Sequence, residues 1–103
     1  MDVVTEPQNV ISPKENWTLA RILVDRGHGQ EALALGFWGD SEKKTKTLCI
    51  RWTGFPGKPK GNPISNFQPT WFVVPDAFHA AIVSTLDLET QSVARKFFEF
   101  EAE

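Results

Sequence analysis

Thr47-Leu48-Cys49-Ile50-Arg51-Trp52-Thr53 is the stretch that decides the fold. Leu48, Ile50 and Trp52 alternate with Thr47, Cys49, Arg51 and Thr53. Successive side chains of a strand point to opposite faces, so this pattern predicts one apolar face and one mixed face. β-branched and aromatic residues suit such a pleated surface. Trp52 shares its face with Leu48 and Ile50 and is expected in the core. Cys49, between Leu48 and Ile50, is expected to be a buried and chemically quiet thiol.

Upstream, residues 31–39 read EALALGFWG. Leu33, Leu35 and Phe37 share one face, with Ala32, Ala34, Gly36 and Trp38 opposite. The small residues leave backbone accessible beside Trp38. Asp40 to Lys46 is expected to be a charged hairpin loop. Gly27-His28-Gly29-Gln30 predicts a tight turn before this strand. Residues 17–24 are largely apolar on both faces, so periodicity alone does not decide them. Ser12-Pro13-Lys14-Glu15 has the form of a capping box that would open a helix through Leu19 and Leu23. The turn and clear strand that follow make a hairpin attractive and favour a strand over about 18–26. Residues 1–15, with Pro7 and Pro13 and no periodicity, are expected to form a flexible arm. Residues 16–103 then form a single domain.

Downstream, residues 54–69 hold three of the seven glycines and four of the seven prolines. That density continues neither a ladder nor a helix and predicts a long loop, a feature often tied to function. Residues 70–74, TWFVV, predict a short buried strand. Pro75 suits a first helical turn, with Asp76 favourable near the positive end. Ala77, Phe78, Ala81, Ile82, Thr85 and Leu86 form a stripe at helical spacing, which predicts a helix over 75–86. Val93, Phe97 and Phe100 fit a helix face, while Lys96, Phe98 and Phe100 fit a strand; a helix over 89–98 with a frayed acidic end is the favoured reading. The expected fold class is α+β: an antiparallel meander of about four strands with a C-terminal amphipathic helix packed on one face.

The 103 residues bound the chain to one small domain with one core. Hydrophobic residues at 41% and charged residues at 23% are globular values and exclude a disordered chain. No apolar run approaches the roughly 20 residues of a membrane span. The stretch MDVVTEPQNVISPKEN shows no basic start and no apolar core of an export signal. A single cysteine excludes an internal disulfide and suits a reducing compartment, so a cytoplasmic protein is expected.

No complete catalytic motif is present. His28 and His79 have no second His or Cys at ligand spacing, so neither metal nor cofactor is expected. A Cys49–His79 dyad would need a thiolate that burial suppresses. Gly54-Phe55-Pro56-Gly57-Lys58-Pro59-Lys60-Gly61 lacks the GK[ST] ending of a phosphate loop. Asn16-Trp17-Thr18 matches a glycosylation acceptor only by chance in a chain with no export signal. The chain is therefore expected not to be an enzyme.

Charge divides unevenly along the sequence. Lys43, Lys44, Lys46, Arg51, Lys58 and Lys60 fall between Lys43 and Pro75, where no Asp or Glu occurs. The rest of the chain holds five basic against thirteen acidic residues, a balance of −8. Aromatic residues interleave with this basic third: Trp38, Phe55, Phe67 and Trp71 join Lys43, Lys44, Lys46, Arg51, Lys58 and Lys60 as candidate nucleic-acid-binding residues. Cations neutralise phosphates, and flat rings stack unpaired bases. The predicted helix 75–86 has no basic residue and is a poor reader of a duplex groove. Single-stranded nucleic acid is thus the expected partner.

The layout also resembles the single-stranded DNA-binding domain of the transcriptional positive-cofactor type, over about residues 18–86. The matching stretches are Leu35-Gly36-Phe37-Trp38-Gly39, Leu48-Cys49-Ile50-Arg51-Trp52, Pro56-Gly57-Lys58-Pro59-Lys60-Gly61 and Trp71 to Leu86. The resemblance implies a curved four-stranded sheet, one helix and a homodimer, with Arg51, Trp52, Lys58 and Lys60 on the nucleic acid. The chain departs from the pattern in its longer loop, in Val74-Pro75-Asp76 at the helix entry and in the residues after the helix.

Two other readings compete. One is a small accessory or immunity-type protein that binds another protein through its acidic surface. The other is a small-ligand binder with an aromatic pocket near Trp38 and Trp71, selecting cations by cation–π contact. Phe97, Phe98 and Phe100 are too many to expose singly, so they are expected at a subunit interface or folded back on the core.

Overall fold

The computed structural model describes residues 3–40 and 42–99. Three long strands form an antiparallel meander: β1 (Trp17–Asp25), β2 (Glu31–Asp40) and β3 (Lys43–Trp52). The loop after β3 carries a miniature hairpin, β4 (Ile64–Ser65) and β5 (Gln68–Pro69). The chain then returns as β6 (Phe72–Val73) beside β3, giving a sheet of order β1-β2-β3-β6. A 3₁₀ turn at Asp76–Phe78 leads into α1 (His79–Val83), and α2 (Leu88–Glu99) follows. The architecture is α+β. Among the described residues no helix is long and apolar enough to cross a membrane.

Alternation predicts β3 but understates its length. The ladder with β2 runs from Glu31↔Trp52 out to Asp40↔Lys43, so Lys43–Lys46 are strand and not loop. Thr45, between Lys44 and Lys46, and Thr47 after them keep the strand's preferred side-chain branching. β6 meets β3 only at Cys49 and Ile50, which leaves Lys43–Thr47 without a β6 partner. Lysines on such a stretch discourage pairing with another chain's strand.

The sheet is covered on both faces. On one, Leu33, Leu35 and Leu48 are buried beneath Ile82, Leu86, Val93, Phe97 and Phe98 from the helices. Phe97 and Phe98 meet edge to face with centroids 5.2 Å apart, and Phe97 packs likewise on Phe37 at 5.6 Å. These two phenylalanines thus fold back on the core; Phe100 lies outside the described residues. On the other face Ala32, Ala34 and Cys49 are buried with Trp17, Trp71 and Val10. Gly36 makes this layer possible, because a Cβ there would overlap the Trp17 ring and the Thr18 carbonyl.

The N-terminal residues differ from the flexible arm expected of them. Pro7 and Val10 are buried, and the Trp71 indole Nε1 donates to the Val10 carbonyl at 2.8 Å. Thr5 N donates to the Pro59 carbonyl at 3.0 Å, and Glu6 pairs with His28 at 2.6 Å. Ser12 bridges Thr70, and Trp17 N donates to the Pro13 carbonyl, so the Ser12–Glu15 motif is a turn feeding β1 and not a helix start. An apolar sheet face with no second helix to cover it draws the arm down by burial.

The expected helix 75–86 is split. Only His79–Val83 is α-helical, and Leu86 N donates to the Val83 carbonyl in a closing turn. Ser84 and Thr85 bond back to the carbonyls of Ala81 and Ile82 at 2.7 Å each, which favours stopping over continuing. Asp87 then caps α2: its carboxylate accepts from Thr90 N at 2.8 Å and Thr90 Oγ1 at 3.0 Å. Those bonds to Thr90 lower the Asp87 pKa from its ordinary value.

Cys49 is fully buried, and burial pushes its thiol up to about 12. A thiolate is therefore scarce at neutral pH. A thiol reagent should modify the native protein about 1000-fold more slowly than the denatured chain. Equal rates in the two states would contradict the position of β3.

Candidate nucleic-acid interface

Arg51 organises the end of β3, although its strand neighbours suggested a surface role. It is 2% exposed, on the face that the arm and loop cover. Its Nη1 donates to the carbonyls of Thr70 and, at 3.4 Å, Pro63; its Nη2 donates to the Lys60 carbonyl. One guanidinium thus gathers three points of the loop, a geometry its fixed fork of donors allows. Desolvation lowers its pKa to about 10, so it stays protonated at neutral pH. Its buried Nε has no partner among the described residues. Arg51 is therefore not available to a nucleic acid, which corrects the expectation drawn from sequence and resemblance.

Gly61 completes the closure. Its φ is +66°, and a Cβ would run into the Trp52 carbonyl and Arg51 Nη2. Trp52 and Asn62 exchange backbone bonds of 2.8 and 3.1 Å, so the loop is stitched to the strand end.

The candidate basic residues do not form one surface. Lys43, Lys44 and Lys46 lie at the hairpin end of β3, while Lys58 and Lys60 follow its other end. The six strand residues Thr47–Trp52 lie between the two groups and set them roughly 20 Å apart, about 30 Å for Lys43. Lys44 Nζ donates to Thr18 Oγ1 at 3.0 Å. Lys46 Nζ donates to the Phe97 carbonyl at 2.8 Å and lies 5.2 Å from the Phe97 ring centroid. Lys43 is exposed opposite Asp40. These three belong to the strand edge and the α2 contact. Lys58 and Lys60 are exposed on the loop. Lys60 Nζ donates to the Phe67 carbonyl at 2.6 Å. Asn62 satisfies both ends of its amide when Oδ1 accepts from Lys58 Nζ at 3.0 Å and Nδ2 donates to the Gly61 carbonyl at 3.2 Å.

The aromatic candidates also separate. Trp71 is 6% exposed and tilted against Trp17 at 6.3 Å, so it is core and not interface. Trp38 is half-buried on the arm-covered face, beside the hairpin lysines and far from the loop. The aromatic pocket expected near Trp38 and Trp71 is occupied by the protein's own packing. Phe55 and Phe67 are exposed, as a loop position predicts. Trp52 departs from its expected core position and is 54% exposed. The helical layer reaches Ile50 but ends before Trp52, and β6 is too short to pass it. Phe72, opposite Ile50, is 58% exposed. Trp52 and Phe72 flank a cleft of about 250 Å³ completed by Ile50, Arg51, Asn62 and Pro63.

Phe72 and Ile64 are the surface residues that sequence reasoning missed. The signal for Phe72 lay in Trp71-Phe72-Val73, where neighbours must face opposite ways. The loop end thus presents Trp52, Phe55, Phe67 and Phe72 with Lys58 and Lys60. Glu31 pairs with Trp52 across the sheet, but Arg26 Nε holds its carboxylate at 2.9 Å. Among the described residues no group of three or more His, Cys, Asp or Glu is placed to hold a metal ion. No protein-family model, curated protein or solved structure matches the chain.

Proposed function

We propose that the protein is a non-enzymatic binding module for single-stranded nucleic acid. The observation that carries this reading is the loop end, where four exposed aromatic rings accompany two exposed lysines. Stacking on such rings is worth about 1–3 kcal/mol per base, and the lysines supply phosphate contacts. The surface is narrower than the sequence implied: Arg51 is buried, Lys44 and Lys46 bond to Thr18 and Phe97, and Lys43 lies at the far end of β3. The reading includes a homodimer, for which exposed Phe78 and Leu88 offer further apolar surface. It also includes a cytoplasmic location, in keeping with a single free thiol.

Intrinsic fluorescence tests it. Trp17 and Trp71 are buried and Trp38 is half-buried, so a bound strand quenches chiefly Trp52. Titrating an unstructured oligonucleotide should quench emission in the wild type but far less in Trp52→Phe. Log affinity should fall linearly with log salt. No binding at low salt would end the reading and favour the protein partner expected from the acidic surface.

A further inference from the structure

A cleft of about 380 Å³ opens between α1 and α2, away from the loop end. Its volume lies within the range of small-molecule sites. The buried side chains of Val83 and Ala94 line it, together with the small side chain of Ala80. His79 and Phe98 stack with centroids 5.2 Å apart and form an aromatic wall. Asp76, its side chain almost fully exposed and 3.9 Å from His79 Nε2, and Glu99 also border it, with Arg95 one helical turn before Glu99.

His79 Nε2 lies 2.7 Å from the Val74 carbonyl, which can only accept, so Nε2 carries the proton. The carboxylates of Asp76 and Glu99 outnumber the single guanidinium of Arg95. An anionic guest would meet two like charges, whereas a cation meets complementary ones. The charge balance of −8 outside residues 43–75 favours cations in the same sense. The apolar lining requires a hydrocarbon body, and the ring wall suits an aromatic or ammonium-bearing one.

We propose that this cleft binds a small organic cation, an ammonium group carried on an apolar or aromatic body. The ammonium lies towards Asp76 and Glu99, and the body rests on Ala80, Val83 and Phe98. This site is separate from the loop surface and independent of nucleic-acid binding.

The probe is phenethylamine, titrated into the full chain with amide and side-chain NMR shifts as the readout. Saturable shifts are expected at His79, Ala80 and Phe98. Phenethylamine should bind at least about tenfold more tightly than 2-phenylethanol or 3-phenylpropionate, a difference of about 1.4 kcal/mol. Asp76→Asn with Glu99→Gln should remove about that tenfold preference while leaving the exposed surface folded. Ala80→Leu, at an exposed position, should fill the cleft and abolish the shifts. Lys58→Glu with Lys60→Glu should leave them unchanged. Absence of saturable shifts at about 10 mM amine overturns the proposal. So does equal binding of the alcohol, or an amine affinity that the Asp76/Glu99 pair does not alter.

Discussion

Replacing Arg51 with Met should lower stability by about 3 kcal/mol or more. The change removes the donors of three carbonyls, those of Lys60, Pro63 and Thr70. A buried acceptor left without a partner costs about 1–3 kcal/mol. Relief of the desolvated charge offsets part of that sum, because burial disfavours the guanidinium. For a domain of this size the loss corresponds to a fall in Tm of roughly 12–24 °C. The loop should also loosen. Lys60-Gly61 is a tryptic site whose carbonyl Arg51 holds, while Lys58-Pro59 resists trypsin because proline follows. Limited trypsinolysis should therefore cut the variant after Lys60 much faster than the wild type. Arg51→Lys should fall between the two, since an ammonium lacks the planar fork that reaches three carbonyls. A Met variant with wild-type Tm and wild-type cleavage would falsify the role of Arg51 as the anchor of the loop.

Arg51 also marks where sequence reading stops. Alternation along residues 47–53 placed Arg51 correctly on the face of Cys49 and opposite Trp52. It did not say what covers each face. The Arg51 face is closed by Pro7, Val10 and the returning loop, all distant in sequence. The Trp52 face loses its cover one residue pair beyond Ile50. So the two residues exchange their expected roles with no error in the strand itself. Long-range covering layers are set by chain length and by which apolar faces remain open. A local period carries neither.

The meander was legible for the opposite reason. In β2 and the middle of β3, from Thr47 to Ile50, each residue's face follows from its immediate neighbours, so alternation and the Gly27–Gln30 turn suffice. α2 was less clear, because Val93 and Phe97 fit a helix face while Lys96 and Phe98 fit a strand, and only packing on the sheet decides between them. The break between α1 and α2 was legible in principle, through Asp87 and Thr90 at capping spacing, but the stripe to Leu86 masked it. The long loop was recognised by its glycines and prolines. Its compact path was not, because one buried guanidinium and the φ of Gly61 determine it.

Reversing the charge of both loop lysines should produce the largest change in nucleic-acid affinity. Lys58→Glu with Lys60→Glu leaves Arg51 and the buried layers untouched, so the fold should survive with a change of about 0.5 kcal/mol per site. Lys60 does bond the Phe67 carbonyl, and losing that exposed contact adds little. Each phosphate contact to a single strand contributes about 0.7 to the slope of log affinity on log salt. Losing two should reduce the slope by about 1.4. At about 0.1 M salt that alone weakens binding on the order of 25-fold, and repulsion from the new carboxylates adds to it. The loss should be the same for every base composition, because phosphates carry no sequence information. Trp52→Ala or Phe72→Ala should behave differently. They should remove about 1–3 kcal/mol of stacking with the slope unchanged. The hairpin lysines provide the control. Lys43→Glu lies roughly 30 Å away along β3 and should alter neither affinity nor slope by more than a small long-range term. If Lys43→Glu weakens binding as much as the loop pair does, the interface follows the whole strand and the loop end is not its centre.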